Sequence, residues 1–223
     1  MSLRRKGIIL AGGSGTRVSP LTTIISKQLL PVYNKPMIYY PISTLMLAEI
    51  RDILIISDAD SMSMYKKLLG DGSKFGIRLS YDIQAEPRGI AEALIIGEGF
   101  IGEDSFALIL GDNLIYGDSL GEKISRCFEQ TDSATIFGYK VSDPHRFGVI
   151  ELGTDNNVIG IEEKPLKPKS NYIAIGLYVY PAGAIDIAKN LELSSRNELE
   201  ITDVNQNFLS LSRLEVTLLG RGY

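Results

Sequence analysis

The stretch GIILAGGSGTRVSPLTTIISK, residues 7–27, decides how the rest of the chain is read. It opens on the apolar run Ile8-Ile9-Leu10, which predicts a short buried strand. The run ends in Ala11-Gly12-Gly13-Ser14-Gly15-Thr16-Arg17. Three glycines so close together let the backbone approach a ligand and take conformations that a Cβ forbids. Their N–H groups can point at phosphate oxygens, as those of a helix N-terminus or a backbone nest do. Arg17 and Lys27 add fixed positive charge, so a polyphosphate is the expected ligand. Neither familiar phosphate loop fits. No glycine has the P-loop spacing to Gly-Lys-Ser/Thr, and Val18 stands where the dinucleotide fingerprint needs its last glycine. Pro20 interrupts any helix directly after the glycines. On its own the loop fits a phosphate cradle or a plain connection after a strand.

The 223 residues are enough for one large α/β domain with a real core. The hydrophobic fraction of 44% and charged fraction of 22% are those of ordinary globular proteins. A formal net charge of −4 lacks the basic footprint of a nucleic-acid binder. The single cysteine, Cys127, excludes an intramolecular disulfide and a Cys-based zinc site, and reads as a small core residue of an amphipathic helix. One histidine, His145, is too little for a multi-histidine metal centre. No run approaches the roughly 18 apolar residues of a membrane span, and no signal-peptide pattern opens the chain. A cytoplasmic protein without nucleic-acid or membrane partners is expected.

Downstream, strands and helices alternate. Strands are predicted over 52–57, 76–84 and 106–110, and helices over 36–48, 62–69 and 90–100. The second half is richer in strand: 133–141, the pair 147–152 and 158–163, 171–180 and 214–219, with helices over 181–190 and 201–211, the last started by Thr202 or a neighbour. The pattern implies an α/β fold, a Rossmann-like, mostly parallel (mixed) sheet with helices on both faces. In such sheets ligands sit at the carboxyl ends of strands. The loop at Gly12 and the turn Gly111-Asp112-Asn113 both lie at such ends. No linker or repeat divides the chain, so one domain over 1–223 is expected.

Beyond the loop, Pro20-Leu21-Thr22, Ser26-Lys27-Gln28-Leu29-Leu30-Pro31-Val32 and Lys35-Pro36-Met37-Ile38 follow in order. Together with Leu10-Ala11-Gly12-Gly13-Ser14-Gly15-Thr16-Arg17 they resemble the signature of the sugar-phosphate nucleotidylyltransferases, and the likeness runs through essentially all 223 residues. The resemblance implies a GT-A-like nucleotidyltransferase fold with a nucleotide-binding part over about 1–130 and a strand-rich sugar-phosphate-binding part over about 131–223. It implies transfer of a thymidylyl group from dTTP to glucose 1-phosphate, giving dTDP-glucose and pyrophosphate, with Mg²⁺ as cofactor. Leu10, Ala11, Gly12, Gly13, Ser14, Gly15 and Thr16 would hold the triphosphate, and Arg17 would promote pyrophosphate departure. Lys27 would also meet the phosphates.

In Gln84-Ala85-Glu86-Pro87-Arg88-Gly89-Ile90-Ala91-Glu92-Ala93, residues Gln84, Pro87 and Gly89 would meet the pyrimidine, since an amide can both donate and accept. Relatives often carry Gln where Glu92 stands. Asp112 would bind Mg²⁺, an oxygen-seeking ion. Gly148, Glu163, Lys164, Ala174, Tyr178 and Arg196 would form the sugar-phosphate site, with Glu163 on sugar hydroxyls and Lys164 on the phosphate. Ala174 and Ile175 stand where relatives often have Val and Thr. In relatives the terminal Gly220-Arg221-Gly222-Tyr223 leads into a segment carrying a second metal aspartate, here beyond Tyr223 and absent, so a C-terminally truncated chain is expected. The family commonly forms homotetramers, which implies a homo-oligomer. Two alternatives stay open: a relative using UTP or CTP, and a nucleotide-sugar-binding module without catalysis.

Overall fold

A computed structural model describes residues 5–220, apart from Ser14, Asp118, Thr131 and the side chain of Arg17. In chain order, β1 (Lys6–Leu10) leads into three single turns of 3-10 helix and a short ribbon, β2 (Pro31–Val32) and β3 (Lys35–Pro36). Then come α1 (Tyr39–Leu47), β4 (Asp52–Ser57), α2 (Ala59–Leu69), β5 (Arg78–Ile83), α3 (Glu92–Ile96), α4 (Glu98–Ile101) and β6 (Phe106–Leu110). The second half holds α5 (Leu120–Cys127), β7 (Ala134–Lys140), β8 (Gly148–Leu152), β9 (Val158–Glu163), β10 (Tyr172–Tyr180), α6 (Ala184–Lys189), α7 (Ile201–Ser210) and β11 (Leu214–Leu219).

The main sheet runs β11-β7-β10-β6-β1-β4-β5, with β8 and β9 branching from β10. β1 pairs in parallel with β4 and β6, and β4 with β5. Only β10 opposes its neighbours β6 and β7 on this path. The central strands are apolar at nearly every position because both faces are covered. Ile8, Leu54 and Phe106 point into one core with Leu94, Ala184 and Phe208 from α3, α6 and α7. Ile9, Ile55 and Ile109 point into the other with Leu45, Tyr65 and Ile124 from α1, α2 and α5. Cys127 belongs to this second core, and burial pushes its thiol pKa up. No helix among the described residues is long and apolar enough to cross a membrane.

Several boundaries differ from the sequence expectation, each for an identifiable physical reason. Helix α1 starts at Tyr39 rather than 36, because Pro36 pairs with Pro31 across the ribbon. Helix α2 starts at Ala59 rather than 62, because the Asp58 carboxylate accepts the Ser61 N–H at 2.8 Å and caps it. The helix expected over 90–100 breaks at Gly97, whose bare Cα faces Ile8: a Cβ there would lie 2.7 Å from Ile8 Cδ1. Thr202 does not cap α7. Glu200 holds that position without a side-chain cap, and the Thr202 hydroxyl bonds Glu163 instead.

β1 sits where the strand order reverses, with β4 on one side and β6 on the other. The carboxyl ends of β1 and β6 therefore open on one crevice. A second junction ties the first half of the chain to the second. The Leu199 N–H donates to the Arg88 carbonyl at 2.6 Å, and the Ala91 N–H donates to the Leu199 carbonyl at 3.2 Å. Gly89 lies inside this clasp with φ +104, and a Cβ there would fall 2.3 Å from the Leu199 oxygen. Gly89→Ala should lower unfolding stability by about 1–3 kcal/mol, through backbone strain and the forced opening of the clasp. Gly183→Ala, at φ −58 with nothing within 4 Å of the added carbon, should stay within about 0.5 kcal/mol of the parent. Urea denaturation midpoints of the two variants check this.

Candidate active site

The glycine loop leaves β1 through Ala11, whose N–H still donates to Ile56 at 2.7 Å. Ala11 is fully buried, so its carbonyl needs partners. The Ser57 hydroxyl donates to it at 3.1 Å and the Tyr65 hydroxyl at 3.2 Å. Gln28, itself buried, donates from Nε2 to the Gly12 carbonyl at 3.3 Å and accepts from the Ser26 hydroxyl at 2.6 Å. Gly15 has φ +54, and its carbonyl accepts from Thr22 at 2.8 Å. Thr16 is exposed beside it. Leu10 is the buried end of β1. Of the expected loop residues, Ser14 and the Arg17 side chain lie outside the described residues.

The turn after β6 brings Asp112 to this loop. The Gly111 N–H donates to the Leu10 carbonyl at 2.8 Å, and Lys27 Nζ lies 2.7 Å from Asp112 Oδ2. Asn113 Nδ2 donates to Asp112 Oδ1 at 3.2 Å, and Asn113 Oδ1 accepts from the Gly176 N–H of β10 at 3.2 Å. Lys27 and Asp112, 85 residues apart, thus form one half-exposed ion pair. Gly12, Gly15, Thr16, Lys27, Gln28 and Asp112 share a cleft of about 230 Å³. It adjoins a larger cleft of about 460 Å³ that contains Gly12, Gly13, Lys27, Gln84, Ala85 and Pro87.

Gln84 extends β5, its N–H donating to Ser57 at 2.9 Å, and it is buried. Its Nε2 donates to the Gly89 carbonyl at 3.1 Å and to Glu92 Oε2 at 2.7 Å. The amide hydrogens are thus held within the protein, and the sequence expectation that this amide both donates to and accepts from a base narrows to acceptance.

The expected sugar-phosphate residues gather around Glu163, from β8, β9, β10 and the segment before α7. A Cβ on Gly148 would lie 3.1 Å from Thr202 Oγ1, 3.5 Å from Glu163 Oε2 and 3.9 Å from the Ala174 Cβ. Thr202 donates to Glu163 Oε2 at 2.5 Å. Burial raises the Glu163 pKa, and the Thr202 hydroxyl and Arg196 work against that rise. Lys164 has φ +44, an uncommon conformation for a residue with a Cβ, and its Nζ lies 3.4 Å from Glu163 Oε1. Tyr178 is buried and stacks on Tyr180, with ring centroids 5.8 Å apart. Arg196 faces three carboxylates: Glu200 at 2.7 Å, Glu163 at 3.2 Å and Glu198 at 3.2 Å.

Sequence reasoning missed Gln28, Asn113 and Thr202 as site supports, although Gln28 and Asn113 stand inside quoted motifs and Thr202 was read as a helix start. Among the described residues, no group of three or more His, Cys, Asp or Glu side chains has the arrangement of a metal cage. Asp112 still offers hard carboxylate oxygens at a strand end beside the glycine loop. That donor set fits Mg²⁺, which takes one or two carboxylates and fills its shell from water and phosphates.

Comparisons with known proteins show the family. The chain is 54% identical over 218 residues to the glucose-1-phosphate thymidylyltransferase of Neisseria gonorrhoeae, covering 98% of this chain and 76% of that protein. It is 51% identical over 217 residues to that of Mycobacterium tuberculosis, covering 97% and 75%. A crystal structure from Bacillus anthracis, described as a glucose-1-phosphate thymidylyltransferase in complex with sucrose, superposes with a TM-score of 0.92 at 39% identity, over 98% of this chain and 88% of that one. A UDP-glucose pyrophosphorylase complexed with UDP-glucose superposes with a TM-score of 0.85 at 26% identity, covering 98% and 91%. The family model for nucleotidyl transferases matches residues 6–223, and the chain belongs to that family.

Proposed function

We propose that the protein transfers a thymidylyl group from dTTP to glucose 1-phosphate, releasing pyrophosphate and forming dTDP-glucose. The observation that carries this is the 54% identity to a glucose-1-phosphate thymidylyltransferase across 98% of the chain. The geometry gives it a chemical basis. A glycine loop, a lysine and a carboxylate meet at one strand-end crevice, and an amide acceptor lines it.

In this reading an oxygen of the sugar phosphate attacks the α-phosphorus of dTTP in line. A new P–O bond forms, the bond to the β-phosphate bridge breaks, and pyrophosphate leaves with the electron pair. Loop N–H groups around Gly12, Gly13 and Gly15 cradle the triphosphate. Lys27 lines both clefts, so its ammonium is in place for phosphate oxygens. Asp112 would hold Mg²⁺, which supplies positive charge against the charge that develops on the phosphates. Arg17 is assigned to the departing pyrophosphate. Glu163 accepts from sugar hydroxyls, and Lys164 meets the sugar phosphate. Arg196 would serve that phosphate only by giving up carboxylate partners, so its nearer role is to hold Glu163 and Glu200 in place. No enzyme nucleophile takes part. The same reading makes residues 1–130 the nucleotide-binding part and 131–223 the sugar-phosphate part of one domain, in a cytoplasmic homo-oligomer.

Pyrophosphate release measured with dTTP, UTP, CTP, GTP and ATP, with and without glucose 1-phosphate, tests the proposal. Release should require the sugar phosphate and be greatest with dTTP; release that ignores the sugar phosphate overturns it. Asp112→Ala should lower kcat by at least about a hundredfold while circular dichroism stays that of the parent. Full turnover in that variant would remove Asp112 from the chemistry.

Glu163 gives a pH prediction whose sign follows from its environment. Burial raises its pKa, so as pH falls it becomes protonated earlier than an ordinary glutamate and loses its capacity to accept. KM for glucose 1-phosphate should therefore rise on acidification. The Thr202 hydroxyl favours the ionised form. Thr202→Val should move that rise to higher pH, and comparison with the parent at each pH cancels the titration of the sugar phosphate itself. Superimposable KM profiles would exclude this coupling.

A further inference from the structure

Glu92 stands at the start of α3, half-buried, and no part of the reaction above uses it. Its carboxylate accepts from Gln84 Nε2 at 2.7 Å, and the Gly89 carbonyl accepts from the same nitrogen at 3.1 Å. An amide nitrogen carries two hydrogens, and a carbonyl and a carboxylate only accept. With an acceptor for each hydrogen, the amide has one orientation and the usual ambiguity between its oxygen and nitrogen is removed. The oxygen then points the other way. Gln84 Oε1 lies 3.4 Å from where a Cβ on Gly12 would sit, and no hydrogen bond from the described residues reaches it. Gly12, Gly13, Gln84 and Pro87 line the same 460 Å³ cleft, so the free acceptor faces the space beside the glycine loop.

A glutamine free to turn over can offer either its oxygen or its nitrogen to a ligand. A glutamine with both hydrogens taken offers only its oxygen. The distinction matters for pyrimidines, because ring N3 carries a hydrogen in thymine and uracil and a lone pair in cytosine. We propose that Glu92 is a positioning residue for base selection. With the Gly89 carbonyl it takes both hydrogens of the Gln84 amide, so that only an acceptor meets the base, and nucleotides with a protonated N3 are chosen over cytosine nucleotides. The inference rests on the nucleotide site proposed above. Its physical basis is that pairing a buried acceptor with a lone pair leaves both unsatisfied. A leucine at position 92 removes one acceptor, frees the amide to turn, and lets the nitrogen meet a cytosine ring.

Calorimetric binding of dTDP and CDP, with no sugar phosphate present, reads the effect apart from turnover. The parent should bind dTDP at least about tenfold tighter than CDP, a discrimination within reach of one matched polar contact. Glu92→Gln, which keeps an acceptor for Gln84, should hold that ratio within about threefold of the parent's. Glu92→Leu should lower the ratio by about tenfold or more, with weaker dTDP binding and tighter CDP binding. A ratio unchanged in a folded Glu92→Leu variant overturns the proposal, as does equal binding of the two nucleotides by the parent.

A measurement on the unaltered protein stands beside these, should the leucine variant not fold. The Gln84 side-chain amide, assigned by its loss in Gln84→Leu, should show slow solvent exchange at both hydrogens; exchange as fast as that of an exposed glutamine overturns the lock. If dTDP binds selectively but no dTDP-glucose forms, the proposed reaction fails while the base selection stands. If no pyrimidine nucleotide binds at all, both fail together.

Discussion

A buried carbonyl must be hydrogen-bonded, and the one at Ala11 makes that demand at the point where β1 becomes the glycine loop. The hydroxyls of Ser57 and Tyr65 meet it. Tyr65 is fully buried, and burial pushes its phenol pKa up to about 12, so the ring stays neutral and keeps its hydrogen. The same hydroxyl lies 2.8 Å from Ser26 Oγ, which reaches Gln28, which in turn holds the Gly12 carbonyl. One small polar network thus ties β4, α2 and the segment before β2 to the loop. Lys27 lies between two residues of that network. Its reach to Asp112 therefore follows from a fixed backbone rather than from the lysine's own flexible chain.

The reversed strand β10 organises the other half of the site. Because it runs against β6, its Gly176 comes alongside the end of β6 and bonds Asn113, next to Asp112. Its pairing with β7 slips between Ala174 and Tyr178, a bulge of the kind that re-aims side chains near functional sites. β8 and β9 branch from the same strand and bring Gly148, Glu163 and Lys164 with them. The residues proposed for the sugar phosphate are thereby hung on the one strand whose direction differs from the rest of the path.

Much of this was legible in the sequence where a single physical cause dominates. The runs 52–57 and 106–110 read as strands and are strands, because full burial on both faces leaves a continuous apolar signature. The turn at Gly111-Asp112 was legible as a strand end. The start of α1 was not: a proline before an apolar run suits a first helical turn, and nothing local tells that Pro36 pairs with Pro31. The lack of a side chain at the Gly97 break is set by Ile8, almost ninety residues earlier, and no local window of sequence contains both. The partners of Gln84 and Glu163 were likewise hidden. Gln84 and Glu163 were singled out, but Glu92 and Thr202, which hold them, entered only as a position where relatives often carry Gln and as a supposed helix start. Motif positions were thus easier to read than the hydrogen bonds that make them work.

The clasp between residues 88–91 and Leu199 ties the proposed base-reading and sugar-phosphate segments to one piece of backbone. The turn that carries Gly89 belongs to the segment proposed to read the base, and Leu199 lies three residues after Arg196 and three before Thr202, both partners of Glu163. The fold is therefore poorly modular. A loop exchanged to admit a different sugar would carry the base reader with it, unless the replacement kept the backbone at position 199 where it is. Diversification of such a catalyst is channelled toward single side chains within a preserved framework, not toward wholesale trading of loops.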